Sequence, residues 1–126
     1  MPKMLMRLVV ALVGLFNIGL GLVFLVHPAE MAAKFSLQPI GSQGLATIRA
    51  DFTAFFLVGG LFAILGAWKM SAEPLKVPIL LLAIALFGRT VSLVFDGVAP
   101  TAFPPMITEG VMIAILVAAQ RVFSKA

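Results

Sequence analysis

Cysteine is absent from the chain, and so is tyrosine. The first absence excludes disulfides, thiol catalysis and cysteine-ligated metal sites, and it leaves the redox compartment unread. There is a single histidine, His27, which rules out a bis-histidine haem. Charge is scarce as well. Asp, Glu, Lys and Arg make up 11% of the 126 residues, against about 25% in soluble domains. That excludes a water-soluble globule, a disordered tail and a nucleic-acid-binding domain, despite a net charge of +4. No Walker motif, nucleophile elbow or metal-ligand spacing is present. Gly19-Leu20-Gly21 lies inside an apolar run with no strand before it, so it is not a nucleotide loop.

What the chain has instead is apolar sequence, 62% of its residues, with a mean hydropathy of +1.16. It falls into blocks of about 20 residues, the length of helix that crosses a hydrocarbon core. The expected fold is all-α: an antiparallel bundle of four membrane-spanning helices forming one domain over residues 1–126, with spans at 5–26, 45–68, 75–95 and 105–123. A signal peptide competes for the first block, because Lys3 and Arg7 make a basic n-region. The block is longer than a signal core of about 7–15 residues, and no small-x-small cleavage site follows Val26. Pro74 and Pro78 suit the first turn of the third span, and Pro104 and Pro105 that of the fourth, where missing amide donors cost little. Asp96-Gly97 and Pro100 end the third span. Residues 28–37 have helical propensity, and Met31, Ala32 and Phe35 share a face. They are expected to form a short helix lying on the membrane.

Orientation follows the basic residues. Lys3, Arg7, Lys69, Lys76, Arg121 and Lys125 fall at one side, against Lys34 alone (with His27 when protonated) at the other. Both termini and the 69–74 turn are therefore expected in the cytoplasm, and the 27–44 and 96–104 loops outside.

Five ionisable residues lie within or at the rim of the outward halves of the spans: Arg49, Asp51, Arg89, Asp96 and Glu109. At 1.5 Å per residue, Arg49 and Glu109 sit roughly 6 Å and Arg89 roughly 9 Å from the outer ends of their helices. Asn17, the one uncharged polar side chain of the first span, is roughly 13 Å deep. All fall in the outward half. Arg89, Ser92 and Asp96 share a helix face, as do Gly14, Asn17 and Gly21. The latter stripe is small enough for close helix contact, and Gly110, Ala114 and Ala118 form another. Arg49 and Asp51 are about 200° apart around their helix and cannot serve one neighbour. A charge at mid-helix costs about 2.5–3.5 kcal/mol on insertion scales, so mutual pairing of the two arginines with the three carboxylates is expected.

Two readings of this cluster stay open. One is a structural clasp that sets helix register. The other is an outward-opening pocket in which guanidinium groups hold a phosphate or carboxylate head bidentately, with Phe52, Phe55, Phe56 and Phe95 around the tail. A proton or ion path is disfavoured, because the polar residues stop halfway across.

The stretch around Arg49-Ala50-Asp51, with Gly88-Arg89, Asp96-Gly97 and Glu109, resembles a family of small bacterial four-helix membrane proteins catalogued as a domain of unknown function. A looser likeness to DoxX-like proteins is at the level of fold. The resemblance implies a bacterial inner-membrane bundle and no particular reaction. The functional expectation is a binding or accessory protein without a cofactor. Arg49, Asp51, Arg89, Asp96, Glu109 and Asn17 would hold a lipid-like or anionic amphiphilic ligand or a partner membrane subunit. Its partners would be the bilayer, such an amphiphile, and a second copy or larger membrane complex, with no nucleic acid. The alternative is a membrane enzyme using the same acids and arginines for acid–base chemistry on a lipophilic substrate.

Overall fold

The computed structural model describes residues 2–125; Met1 and Ala126, the two ends of the expected domain, lie outside them. Five helices follow one another: α1 (Pro2–Val26), α2 (Pro28–Lys34), α3 (Gly41–Lys69), α4 (Lys76–Phe95) and α5 (Phe103–Ser124). No strand occurs among the described residues. The four long helices, with the single turns that lead into α4 and α5, are long and apolar enough to cross a membrane, so this is a multi-pass all-α membrane protein. The large apolar side chains left uncovered fit that solvent. Leu12, Ile84, Phe87 and Ile107 are each more than 60% exposed, which lipid tolerates and water does not.

Local chemistry explains where the helices stop. Pro104 and Pro105 occupy the first turn of α5, and Pro74 and Pro78 flank the start of α4. At the far end of α4, Asp96 closes the last turn with its amide on Ser92 O at 2.7 Å, and Gly97 then takes φ +95°. A side chain would resist that conformation. Two other helices end on left-handed residues that are not glycine. Ser36 (φ 62°) follows α2, and Met70 (φ 47°) caps α3. In both, the next amide reaches back to a carbonyl of the last turn: Leu37 to Ala32 at 2.8 Å and Ser71 to Gly66 at 3.0 Å. These are Schellman-type stops, held at some conformational cost.

The tightest contact in the bundle is α1 against α3, running antiparallel. The polar stripe of α1 mediates it. A Cβ placed on Gly14 would meet Gly60 O at 2.9 Å and Ile64 at 2.8 Å. One placed on Gly60 would meet Gly14 O at 2.7 Å, and one on Gly21 would meet Leu57 at 3.0 Å. Only glycine permits backbones this close. Thr53 Oγ1 of α3 donates to Gly21 O at 3.3 Å in the same seam.

Each of these two helices also caps the other. Arg7, near the start of α1, donates through Nε to Ala67 O at 3.0 Å and through Nη2 to Trp68 O at 3.1 Å, at the end of α3. Arg49 of α3 donates through Nε to Leu25 O at 2.9 Å, at the end of α1. Helix C-termini carry unpaired carbonyls and partial negative charge, so a guanidinium satisfies both.

Helix α2 is the short helix expected in the first outer loop, and one of its faces packs on the bundle. Its Pro28, Met31 and Ala32 are buried against the bundle. Phe35 follows them in, its ring tilted against Phe24 (ring centroids 5.4 Å apart) and Phe56 (6.2 Å) and edge-on to Phe52 (6.4 Å). The apolar face of a short helix can be buried by protein or by lipid, and here α1 and α3 supply a ready aromatic surface.

Candidate functional site

The ionisable side chains do not form one network. Arg89 of α4 and Glu109 of α5 are the single ion pair joining different helices among the described residues. Arg89 Nε lies 3.0 Å and 3.1 Å from the two Glu109 carboxylate oxygens. Glu109 is buried, its side chain 10% exposed, whereas that of Arg89 is 35% exposed. The partner of Arg49 is the α1 carbonyl described above. Asp96 accepts from Ser92 Oγ at 2.6 Å on the exposed end of its own helix. Asn17 is buried and donates to Val13 O at 2.9 Å and to Met112 Sδ at 3.4 Å. Mutual pairing of all five charges is therefore corrected to one pair, one helix cap, one local bond and one unpaired carboxylate. Asp51 has no hydrogen-bond or ion-pair partner among the described residues and is exposed.

Asp51, Arg89 and Glu109 nevertheless come together around space. A cavity of about 280 Å³ is lined by Asp51, Arg89 and Glu109 with Phe35, Phe52, Phe55, Phe56 and Ala85. A second, of about 170 Å³, shares the ion pair and Phe55 and Phe56 with the first and adds Phe16, Leu20, Leu82, Met112 and Thr108. A third, of about 570 Å³, is bounded by Lys34, Phe35, Ser36, Arg89 and the 99–105 segment. Arg89 and Phe35 line all three. The result is a crevice between α3, α4 and α5 with the tail of α2 over it. It exists because α4 buries only Pro78 and Leu82. Beyond Leu82 the helix leans on little but the Arg89–Glu109 pair.

The pair is only partly committed. One N–H of Arg89 serves both carboxylate oxygens, and neither Nη makes a hydrogen bond to a described residue. The terminal fork of the guanidinium is the part suited to planar oxyanions. Glu109 thus anchors the base of the side chain and leaves its recognition end open.

Of the six residues singled out from the sequence, three line the crevice and three do not: Arg49, Asp96 and Asn17 serve helix ends and packing. Phe95, expected as a wall, is 81% exposed and lies elsewhere. Lys34 and Phe35 were not foreseen at the site. The tucking of α2 brings them there, and it is a tertiary event without a local sequence signal.

Such an arrangement defines a class: a small polytopic helical membrane protein with one partly buried arginine–glutamate pair in a lateral crevice. The chain belongs to the family described as Domain of unknown function (DUF4345), whose model matches residues 5–120. No curated protein matches the chain, and no solved structure does. The looser likeness to DoxX-like proteins gains no support from these comparisons.

Proposed function

We propose that the protein is a small binding or accessory protein of a bacterial inner membrane, holding the head of a lipid-like amphiphile in the α3–α4–α5 crevice. The observation that carries this reading is Arg89, which spends only Nε on Glu109 and leaves its Nη fork unpaired on the wall common to all three cavities. A phosphate or carboxylate oxygen pair there gains a bidentate, charge-assisted contact. Phe55, Phe56, Leu82 and Met112 offer the adjoining apolar wall for the start of a chain. The excess of Lys and Arg on the side of both termini supports a cytoplasmic position for them, and with it a crevice open to the outer leaflet.

Native mass spectrometry after extraction in mild detergent tests this. The wild type is expected to carry an amphiphile of lipid mass. Arg89→Lys keeps the charge beside Glu109 but loses the planar fork, and occupancy is expected to fall about tenfold, the worth of one charge-assisted hydrogen bond. Thermal unfolding of the two proteins should agree within about 5 °C. Equal occupancy in both, or bare protein in both, overturns the reading.

A further inference from the structure

The charges around the crevice are segregated. The cavity of about 570 Å³ is bounded by Lys34 and Arg89 and by no acid. The cavity of about 280 Å³ is bounded by Asp51 and Glu109 as well as Arg89. Glu109 is neutralised by Arg89, which leaves Asp51 as an unmatched carboxylate beside four phenylalanine rings, those of Phe35, Phe52, Phe55 and Phe56. A ligand whose head is purely anionic would meet attraction from Lys34 and Arg89 and repulsion from Asp51. The complement of this surface is a head with both signs: an oxyanion for the Arg89 fork and Lys34, and an ammonium for Asp51. Aromatic faces around a carboxylate suit an ammonium in particular, because ring quadrupoles attract cations.

We infer that the crevice selects a zwitterionic aminophospholipid-type head, with its phosphate on Arg89 and its ammonium on Asp51. This rests on the proposed amphiphile-binding role and adds the second half of the headgroup. Asp51 is exposed and makes no internal bond, so its replacement removes recognition without removing a packing contact.

The test uses the full-length protein in nanodiscs of equal parts phosphatidylethanolamine and phosphatidylglycerol, released into the gas phase for native mass spectrometry. Wild type is expected to retain phosphatidylethanolamine about tenfold over phosphatidylglycerol, the worth of one charge-assisted contact. Asp51→Asn should retain total lipid yet lose that preference, with thermal unfolding unchanged. Added glycerophosphoethanolamine separates the two sources of this chemistry. Displacement of the lipid by it shows that the head alone is bound, and persistence of the lipid shows that the chains are bound too; both agree with the assignment. Retention of phosphatidylglycerol as well as or better than phosphatidylethanolamine overturns the zwitterion assignment and leaves the amphiphile reading standing. An unaltered preference in Asp51→Asn likewise overturns the role of Asp51. Retention of neither lipid overturns both.

Discussion

The two halves of this bundle are held together by different means. Helices α1 and α3 meet backbone to backbone through Gly14, Gly21 and Gly60, and each ends on an arginine from the other. Helix α4 buries two residues, Pro78 and Leu82, and reaches α5 at its far half through the Arg89–Glu109 pair. In lipid there is no hydrophobic drive for helices to associate, so close packing and hydrogen bonds decide which contacts persist. The glycine seam provides many dispersion contacts. The ion pair provides one strong contact surrounded by space. The difference separates a close-packed side of the bundle from a side that encloses space.

Glycine substitutions give the sharpest way to break that contrast. Gly60→Ala puts a Cβ against a backbone carbonyl at 2.7 Å, which α1 can relieve only by moving away. A loss of about 1–3 kcal/mol is expected, as for overpacking elsewhere, read as a lowered unfolding midpoint in detergent. Gly88→Ala on α4 has nothing within 4 Å of the added carbon and should be neutral or slightly stabilising, since alanine favours helix by up to about 1 kcal/mol. Equal destabilisation by the two would mean that the seam is no tighter than the α4 side.

The reciprocal caps predict a smaller asymmetry. Arg7 is half-buried and makes two bonds to the end of α3, whereas Arg49 is exposed and makes one to the end of α1. Arg7→Ala is expected to cost about 1–2 kcal/mol and Arg49→Ala about 0.5–1 kcal/mol. Hydrogen exchange at the terminal turn of α3 would locate the first effect, with faster exchange confined to the residues around Ala67–Lys69. No change there on losing Arg7 would remove it from the scaffold.

The smallest effect concerns the stop after α2. Ser36 sits at φ 62°, and Ser36→Gly should relieve strain by up to about 1 kcal/mol. Because that stop directs Phe35 onto Phe24 and Phe56, the variant should keep α2 docked, as judged by unaltered protease resistance of the 28–40 segment. Increased cleavage would show that the serine side chain itself matters to the docking.

Much of the fold was legible beforehand because its signals are local. Apolar runs of spanning length mark the four long helices, and prolines mark the starts of α4 and α5. Gly97 marks the end of α4, and the Gly14–Gly21 stripe marks close approach. The site was legible only in part. Helical depth brought Asp51, Arg89 and Glu109 to one level, but depth does not say how each helix is turned about its axis. Arg49 and Arg89 looked alike in sequence, each an arginine inside the outer half of a span. One faces the carbonyl end of α1 and the other a carboxylate on α5, and only helix rotation separates those fates. Arg7 counted as a surface charge until the antiparallel register of α1 and α3 put it beside Ala67 O.

By composition and periodicity alone the chain was committed to a membrane, to four long helices and to polar groups gathered in one half. Those properties depend on the free energy of each segment in lipid, which is a sum over its own residues. Tertiary structure decided that Arg89 meets a carboxylate and Arg49 a backbone carbonyl, that Asp51 is left without a partner among the described residues, and that α2 packs its apolar face on α1 and α3 with its tail over the crevice. These depend on distances between segments, where a rotation of one helix exchanges a salt bridge for a backbone cap at little cost to the segment itself.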